Sequence, residues 1–562
     1  MKINIGLLVP VLIIATATAG DWARFRGPGG LGVAEDGGAV PTTWSPEANL
    51  AWKMVLPGPG ASSPIIVGDR VLVTCYSGYG LDQESPGKIE DLVRHLVCFE
   101  LTTGKQLWQR DVKVVLPEDP YTGIGVTAHG YASHTPVSDG TNVYVFFGKS
   151  GVHAWDLDGN KLWETSVGKE SDPTRWGSSS SPILHERTLI VTASAESQAV
   201  IGIDCANGKE IWRQEAAGLD GMWGTPALVN AGDSIDLVMV VAKELWGMDP
   251  ASGKLRWFAA ATDAQHAYTS IIHNDSSVYA FTGRGGGSVA VKAGGKGNVS
   301  ESNTVWEGRD TAGFATPVGH NGRLFVVNRG VLTTVDAESG KRVSQLRLAG
   351  ARQTGGRFGS LDYPSPIVAG DRMFYLNGSG QMFVFDLADT VKQIAVNQFT
   401  ADKEVFWGTP AVSNGHLIVR SSKHLYAVKD KGDKVEQDPQ VLASAGPSLP
   451  PVGGGRPGGG RGPGAGRPGG GQRFDPMSMF RGMDADKDGK ITAKELEGNR
   501  MAERLMTLDK DGDKAISTEE FRTGIGSLFS RGSGGGTGRG RPGYPGGQDK
   551  RPKRPQRPEP AE

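Results

Sequence analysis

One motif recurs eight times along the chain, and a repeat of this length restricts the fold to a few architectures. A small residue or two, usually followed by Pro, opens an apolar β-branched run. A turn and a second β-rich run follow, then a third run, a D-x-x-(S/T/N)-G-K turn and a Trp. The openings are Ser63-Pro64, Thr135-Pro136, Ser181-Pro182, Thr225-Pro226, Thr269-Ser270, Thr316-Pro317, Ser365-Pro366 and Thr409-Pro410. From the second onward they are 46, 44, 44, 47, 49 and 44 residues apart. The first step is 72, because Ser77–Arg94 is an inserted loop.

The turn-and-Trp half reads Leu101-Thr102-Thr103-Gly104-Lys105-Gln106-Leu107-Trp108 in the first repeat. It returns at Asp156 to Trp163, Asp204 to Trp212 and Asp249 to Trp257, loosely at Trp306, and without its Trp at Asp336 to Val343. Gly at this turn takes a positive φ at no steric cost, which suits a hairpin. Each unit therefore reads as four short antiparallel strands. A lone four-stranded sheet cannot bury both faces, whereas blades stacked around an axis can, with the outer Trp filling each interface. The eighth repeat stops near Lys429 before any turn-Gly-Trp element, and a spare Trp52 lies upstream of the first opening. An N-terminal strand at Asn49–Lys53 can complete the last blade and remove the open edge. The expected fold is mainly β, an eight-bladed β-propeller of four-stranded antiparallel blades over 49–430. A β-sandwich cannot absorb eight copies at this period, and a linear solenoid would want atypical capping repeats.

Composition sets limits on the rest. The 562 residues carry 60 Lys+Arg against 61 Asp+Glu, a balance that excludes a globally basic nucleic-acid binder. Three cysteines exclude a disulfide-dense scaffold. Cys75 and Cys98 could bridge within one blade or stay as buried thiols. At the start, Lys2, an apolar run from Ile5 to Ala15 and Ala17-Thr18-Ala19 form a signal peptide over 1–19, followed by an extension over 20–48. The apolar run is too short to span a bilayer, which takes about 20 residues, and no second long run occurs. The chain is read as exported, to the periplasm, cell envelope or exterior.

After the repeats, residues 431–472 form a Gly/Arg/Pro-rich linker that cannot bury a core. Order returns over 473–530. Asp484-Ala485-Asp486-Lys487-Asp488-Gly489-Lys490-Ile491-Thr492-Ala493-Lys494-Glu495 matches every diagnostic position of the EF-hand calcium loop. The ligands would be Asp484, Asp486, Asp488, the Lys490 carbonyl and Glu495, an all-oxygen set suited to calcium. A second copy supplies Asp509, Asp511, Asp513, the Ala515 carbonyl and Glu520, with Lys514 where the template has Gly. A non-Gly residue forced to positive φ costs about 1 kcal/mol, so this loop is expected to be weaker. The result is a small α-helical EF-hand pair, with Phe480, Leu496, Met501, Leu505, Met506, Leu508 and Phe521 as its apolar face. Residues 531–562 form a basic, disordered tail, read either as a contact to anionic surfaces or as a solubilising end.

A propeller generally uses its axial mouth. Segments just before the openings are aromatic: Trp176, Trp223, Tyr268, Phe314, Tyr363 and Trp407, with His129, His134 and His266 nearby. The turns between second and third strands are polar: Lys149, Lys243, Arg284, Arg329 and Lys423 against Glu196 and Glu244. Trp176, Trp223, Lys243, Arg284, Phe314, Arg329, Tyr363 and Trp407 are the candidate ligand-binding set, for an anionic, aromatic or peptide ligand. The alternative is that the aromatics pack blade tops and the charges are a solvated face.

The Asp–Thr–Gly–Lys–Trp pattern resembles the repeat of pyrroloquinoline-quinone-type propellers, which include quinoprotein alcohol dehydrogenases and the propeller lipoprotein of the outer-membrane assembly machinery. Asp21-Trp22-Ala23-Arg24-Phe25-Arg26-Gly27-Pro28 and Val40-Pro41-Thr42-Thr43-Trp44 resemble the opening of secreted bacterial repeat proteins of this kind. The resemblance implies the propeller and leaves two functions open. One is a non-enzymatic binding or scaffolding module with a protein or polymer partner in the envelope. The other is a quinone-dependent oxidoreductase with pyrroloquinoline quinone and calcium in the ring. Against the second, the chain has no adjacent cysteine pair, no Cys-x-x-Cys-His, and no match to the family's calcium ligands or catalytic Asp. No catalytic residue is assigned.

Overall fold

Each repeat folds as a meander because its apolar runs are short and separated by turns that admit positive φ. Gly104, Gly159, Gly208, Gly253 and Gly340 all have φ between 68° and 83°. A computed structural model describes residues 20–34, 40–122, 126, 129–173, 175–219, 221–264, 266–283, 286–351, 363–388, 390–443, 480, 483–484, 486, 488–496, 505–529 and 557–558. The eight repeats are eight antiparallel sheets of four strands. The first blade runs Ile65–Val67, Arg70–Ser77, Val93–Glu100, Gln106–Lys113 from inside outward. Two blades gain a short parallel fifth strand, Gly297–Asn298 outside the fourth and Val33–Ala34 inside the seventh. The eighth blade takes its outermost strand from the N-terminus: Leu50–Val55 pairs antiparallel with His424–Val428. The ring closes as the spare Trp52 suggested.

Two periodic contacts hold the blades together. The first is a belt. The backbone N–H of Ser63 donates to the hydroxyl of Thr135 at 2.9 Å, and the relation repeats around the ring. Thr135 donates to Ser181, Ser181 to Thr225, Thr225 to Ser270, Ser270 to Thr316, Thr316 to Ser365 and Ser365 to Thr409, all at 2.9–3.0 Å. Thr409 then donates to Ser63 at 2.9 Å and closes the circle. All eight residues are buried. The opening residue must carry a hydroxyl because it accepts the bond that its neighbour's buried N–H requires. In the fifth repeat the belt residue is Ser270, not Thr269, so the repeat steps are slightly more even than the sequence suggested.

The second contact is the outer Trp. Trp52 lies against Gly104 of the next blade, Trp108 against Gly159, Trp163 against Gly208, Trp212 against Gly253 and Trp306 against Gly340. A Cβ on any of these glycines would fall within 3 Å of the indole. The turn Gly thus serves both φ and close approach. Four of the indoles also donate to that blade: Trp52 to Leu101 O, Trp108 to Leu157 O, Trp163 to Cys205 O and Trp306 to Ala337 O.

The extension over 20–48 packs against the inner strands of several blades. Trp22 pairs with Ile66 of the first inner strand. Ala23 O accepts from Ser138 of the second, and Gly32 O from Val368 of the seventh. Arg26 is fully buried and donates to Thr316 O and Pro317 O of the sixth repeat and to Gly30 O and Leu31 O of its own turn. Burial pushes this guanidinium down to about 9, and carbonyls rather than a carboxylate solvate it. Gly27, at φ 65°, sits so close to Trp22 that a Cβ would be 2.5 Å from the ring. Asp21 accepts from Gly68 N in the first inner hairpin turn. Those turns lie opposite the mouth, because antiparallel strands alternate ends. The segment therefore plugs the far end of the axis.

Two expectations at the edges are corrected, at residues 431–443 and at Arg557, and the open question of Cys75 and Cys98 is answered. Residues 431–443, assigned to the linker, pack on the ring: Lys431 N donates to Asn49 Oδ1, Gln437 Oε1 accepts from Val396 N, and Pro439–Ala443 is a short helix. Cys75 and Cys98 are free and buried; in their paired strands Cys98 faces Leu72 and Cys75 faces His95. Arg557 of the tail, read as disordered, lies against the fourth blade. Residues 1–19, read from the sequence as a signal peptide, and residues 444–479 lie outside the described residues. No helix among the described residues is long and apolar enough to cross a membrane.

The chain divides into two units, the second over Gly453–Arg551. Its core is Phe480, Ile491, Leu496, Leu505, Leu508, Ile516 and Phe521, with Met506 packed against it; Met501 lies outside the described residues. Lys490–Thr492 and Ala515–Ser517 form a two-stranded sheet with Ile491 opposite Ile516, as the loop template requires.

The belt gives the first prediction. Thr225→Val keeps the side chain's shape but leaves the buried Ser181 N–H without an acceptor. We expect a loss of about 1–3 kcal/mol in urea unfolding, and Thr225→Ser to stay within about 1 kcal/mol of wild type.

Candidate functional site: the propeller mouth and the paired acidic loops

The belt fixes the height of the residues that precede it. Trp223, Tyr268, Phe314, Tyr363 and Trp407 each stand two residues before a belt hydroxyl, so successive blades present an aromatic at one level. Trp176, five residues before its belt residue, extends the series. Ring centroids are 5.5 Å apart for Trp176–Trp223, 5.2 Å for Trp223–Tyr268, 5.0 Å for Tyr268–Phe314 and 4.8 Å for Phe314–Tyr363. Trp223 and Tyr268 are nearly parallel, at 5°. The Trp223 indole donates to Gly177 O at 2.8 Å, which fixes its tilt. All five rings are half-buried, so the arc is continuous and open to the mouth. Burial raises the Tyr363 phenol to about 12, so it stays protonated.

Trp407 shares the register but joins no ring contact among the described residues. Lys243 and Arg329 occupy the turns between second and third strands, both at positive φ. Lys243 is half-buried and Arg329 exposed. Arg284 lies outside the described residues. Of the candidate set, the structure thus joins Trp176, Trp223, Phe314 and Tyr363 through Tyr268.

The opposite side of the mouth, from the first three blades, is a buried polar cluster that sequence reasoning mostly missed. Arg94 pairs with Glu118 and donates to Tyr131 O and Ser150 Oγ at 3.0 Å. Lys149 pairs with Asp119 at 2.8 Å, and Ser171 bridges both. Ser178 donates to Glu196 at 2.6 Å and meets His134 Nε2 at 3.1 Å. Arg94, Lys149, Glu196 and His134 are all at most 5% exposed. Burial raises the Glu196 carboxyl to about 7, offset in part by Ser178, and its second oxygen has no partner. Burial also lowers His134 to about 3, so it is neutral. His129 is structural: its two nitrogens meet Ser133 Oγ and Trp176 O at 2.6 Å, and this holds the first aromatic of the arc in place. Arg94, Glu118 and Asp119 lie in or beside the inserted loop and the long segment before Thr135, outside the repeat register, so no periodic signal marks them.

The second unit gathers carboxylates. Ligand oxygens of Asp484, Asp486 and Asp488 lie within 4.8 Å of one another, as do those of Asp509, Asp511 and Glu520. Gly489, at φ 86°, turns the first loop so that Gly489 N donates to Asp484 at 3.1 Å. Lys514 takes φ 65° at the equivalent point, the strained geometry expected from its sequence position. Glu495 and Glu520 each close a capping box, accepting from Thr492 N and Ser517 N at 2.8 and 2.9 Å. The first loop's Lys490 reaches across to Asp513 at 2.7 Å, so a ligand of the second loop is held by an ammonium. Oxygen donors of this kind suit a hard divalent cation. Asp484, Asp486, Asp488, Glu495 and the Lys490 carbonyl would hold it in the first loop. Asp509, Asp511, Glu520 and the Ala515 carbonyl would do so in the second, with Asp513 once Lys490 withdraws.

A family model described as outer membrane protein assembly factor BamB matches residues 93–346 and 304–437. An EF-hand model matches residues 477–498. No curated protein matches. Among solved structures, BamB from Moraxella catarrhalis is 11% identical, with 69% of this chain and 99% of that one covered at a TM-score of 0.47. A europium-containing methanol dehydrogenase is also 11% identical, covering 73% and 98% at 0.49. The quinohemoprotein alcohol dehydrogenase of Comamonas testosteroni is 10% identical, covering 83% and 85% at 0.34.

Two predictions follow from this geometry. In calorimetric calcium titration of the full chain, Glu495→Gln should weaken the first loop at least tenfold, and Lys490→Ala should tighten the second; unchanged isotherms would refute both. In the mouth, Glu196 ionises at a higher pH in the folded chain than its ordinary 4.5. The unfolded state therefore releases this proton first, and stability falls as pH rises from 4.5 to about 7. Glu196→Gln should abolish that component, about 3 kcal/mol across the interval, measured by urea unfolding at pH 4.5 and 7.5.

Proposed function

The chain belongs to the family described as outer membrane protein assembly factor BamB, and from that premise we propose that it is an exported envelope protein whose propeller binds a partner through the aromatic arc of its mouth. The arc from Trp176 to Tyr363 carries the reading. Half-buried rings on neighbouring blades, inclined to one another by 5° to 68°, offer a continuous apolar shelf, and the buried cluster opposite supplies oriented dipoles. A shelf of this form suits an extended peptide or polymer bearing aromatic or apolar side groups. The plug at the far end of the axis makes the mouth a blind funnel, which favours docking over passage. The EF-hand pair is the calcium-binding appendage; clustered carboxylates repel until a cation neutralises them, so calcium would order that unit.

The alternative, a quinone-dependent oxidoreductase, needs a calcium ion beside a stacked quinone. The donor set in the mouth does not fit that ion. Glu118 is taken by Arg94, Asp119 by Lys149, and burial holds a proton on Glu196 up to about pH 7.

Photo-crosslinking separates these outcomes. A benzophenone side chain at Tyr268 should give a discrete adduct with an envelope component, and the same group at the exposed outer residue Leu162 should not. Trp223→Ala should reduce the Tyr268 adduct several-fold. Equal yields at both positions, or a quinone absorbance in protein purified from its native envelope, would overturn the reading.

A further inference from the structure

We propose that the rim of the fourth blade is an arginine-binding pocket, formed by Glu244, Trp246 and Phe258, and that its occupant is Arg557 of the chain's own tail. Glu244 begins the third strand of that blade and is 6% exposed. The Trp246 indole donates to its Oε2 at 2.9 Å and fixes the carboxylate plane. Arg557 Nε donates to the same Oε2 at 2.9 Å and Nη2 to Oε1 at 2.7 Å, a bidentate fork. The guanidinium carbon lies 3.5 Å from the centroid of Phe258, which faces Trp246 across the strand pair. A carboxylate fork below a cation–π face is selective for guanidinium over ammonium, because only a planar cation satisfies both at once.

The surroundings favour the tail as occupant. Arg557 also lines a groove of about 410 Å³ with Glu170, Glu215, Ser197 and Gln198. The groove is acidic, and the segment leading to Arg557 is basic: Lys550, Arg551, Lys553 and Arg554. Charge complementarity of this kind draws a basic segment to an acidic pocket before the specific contact forms. The chain returns to the first unit after leaving it. The tail therefore acts as a tether in cis, and the tail's charge is directed to the chain's own propeller.

The test keeps the chain intact. The native cysteines are buried, so spin labels go on cysteines introduced at Ala260, opposite Glu244, and at Ala561. Pulsed electron resonance should give a single narrow, short distance in the parent. Arg557→Ala, Arg557→Lys and Glu244→Gln should each broaden it and lose the short peak. The Arg557 variants lie outside the propeller ring and keep the test valid if Glu244→Gln alters folding. A broad distribution in the parent, or a narrow one that survives Arg557→Ala, would overturn the proposal. Survival in Arg557→Lys alone would overturn the arginine selectivity.

Discussion

The closed belt of eight N–H to hydroxyl bonds is the constraint on which the rest of the first unit depends. A propeller's inner strands converge on the axis, and the residues that open them cannot pair with another strand there. Each buried N–H needs an acceptor of its own. A Ser or Thr on the adjacent blade supplies it, and since every donor is also an acceptor the chain of bonds has no end residue. Closure between Thr409 and Ser63 spans 346 residues of sequence with the same geometry as every other step. That equality is what an N-terminal strand in the last blade makes possible, because without it the eighth sheet would lack its outer edge.

The belt also organises the candidate binding face. It sets one height for all eight openings, so an aromatic two residues upstream of several of them becomes an arc rather than a scatter. The opposite end is set differently. Arg26 places a buried cation among carbonyls of the sixth repeat, and Trp22 occupies the space that Gly27 leaves open. This arrangement ties the N-terminal segment to the inner strands of several blades at once, so the plug depends on the ring being closed, and it turns a channel into a funnel.

Much of this was legible in the sequence because the constraint is periodic. The Ser/Thr-Pro openings, the turn glycines and the outer Trp residues repeat with the blades, and together they define blade number, strand number and the ring's closure. The aromatic series followed from the same register. What was not legible is what does not repeat. Arg94, Glu118 and Asp119 come from an insertion and a long connection, and only three-dimensional closure brings them to Lys149 and Glu196. In the fifth opening, Thr269-Ser270, the belt hydroxyl is on the second residue, and Ile271 stands where Pro stands elsewhere. The plug was invisible for another reason: Arg26 binds carbonyls, which every residue carries, so its partners leave no mark in the sequence.

The near-zero net charge conceals a division of labour among carboxylates. In the mouth they are buried and neutralised, by Arg94 and Lys149 or, at Glu196 below about pH 7, by a retained proton. In the second unit they are gathered into two clusters, and among the described residues Lys490 is the cation paired with them, at Asp513. These arrangements respond oppositely to a divalent ion. A cation gains nothing in the mouth, where it would have to displace arginine and lysine from buried pairs. In the loops it relieves repulsion among three carboxylates at a time. A divalent cation should therefore partition to the second unit and leave the paired charges of the mouth in place.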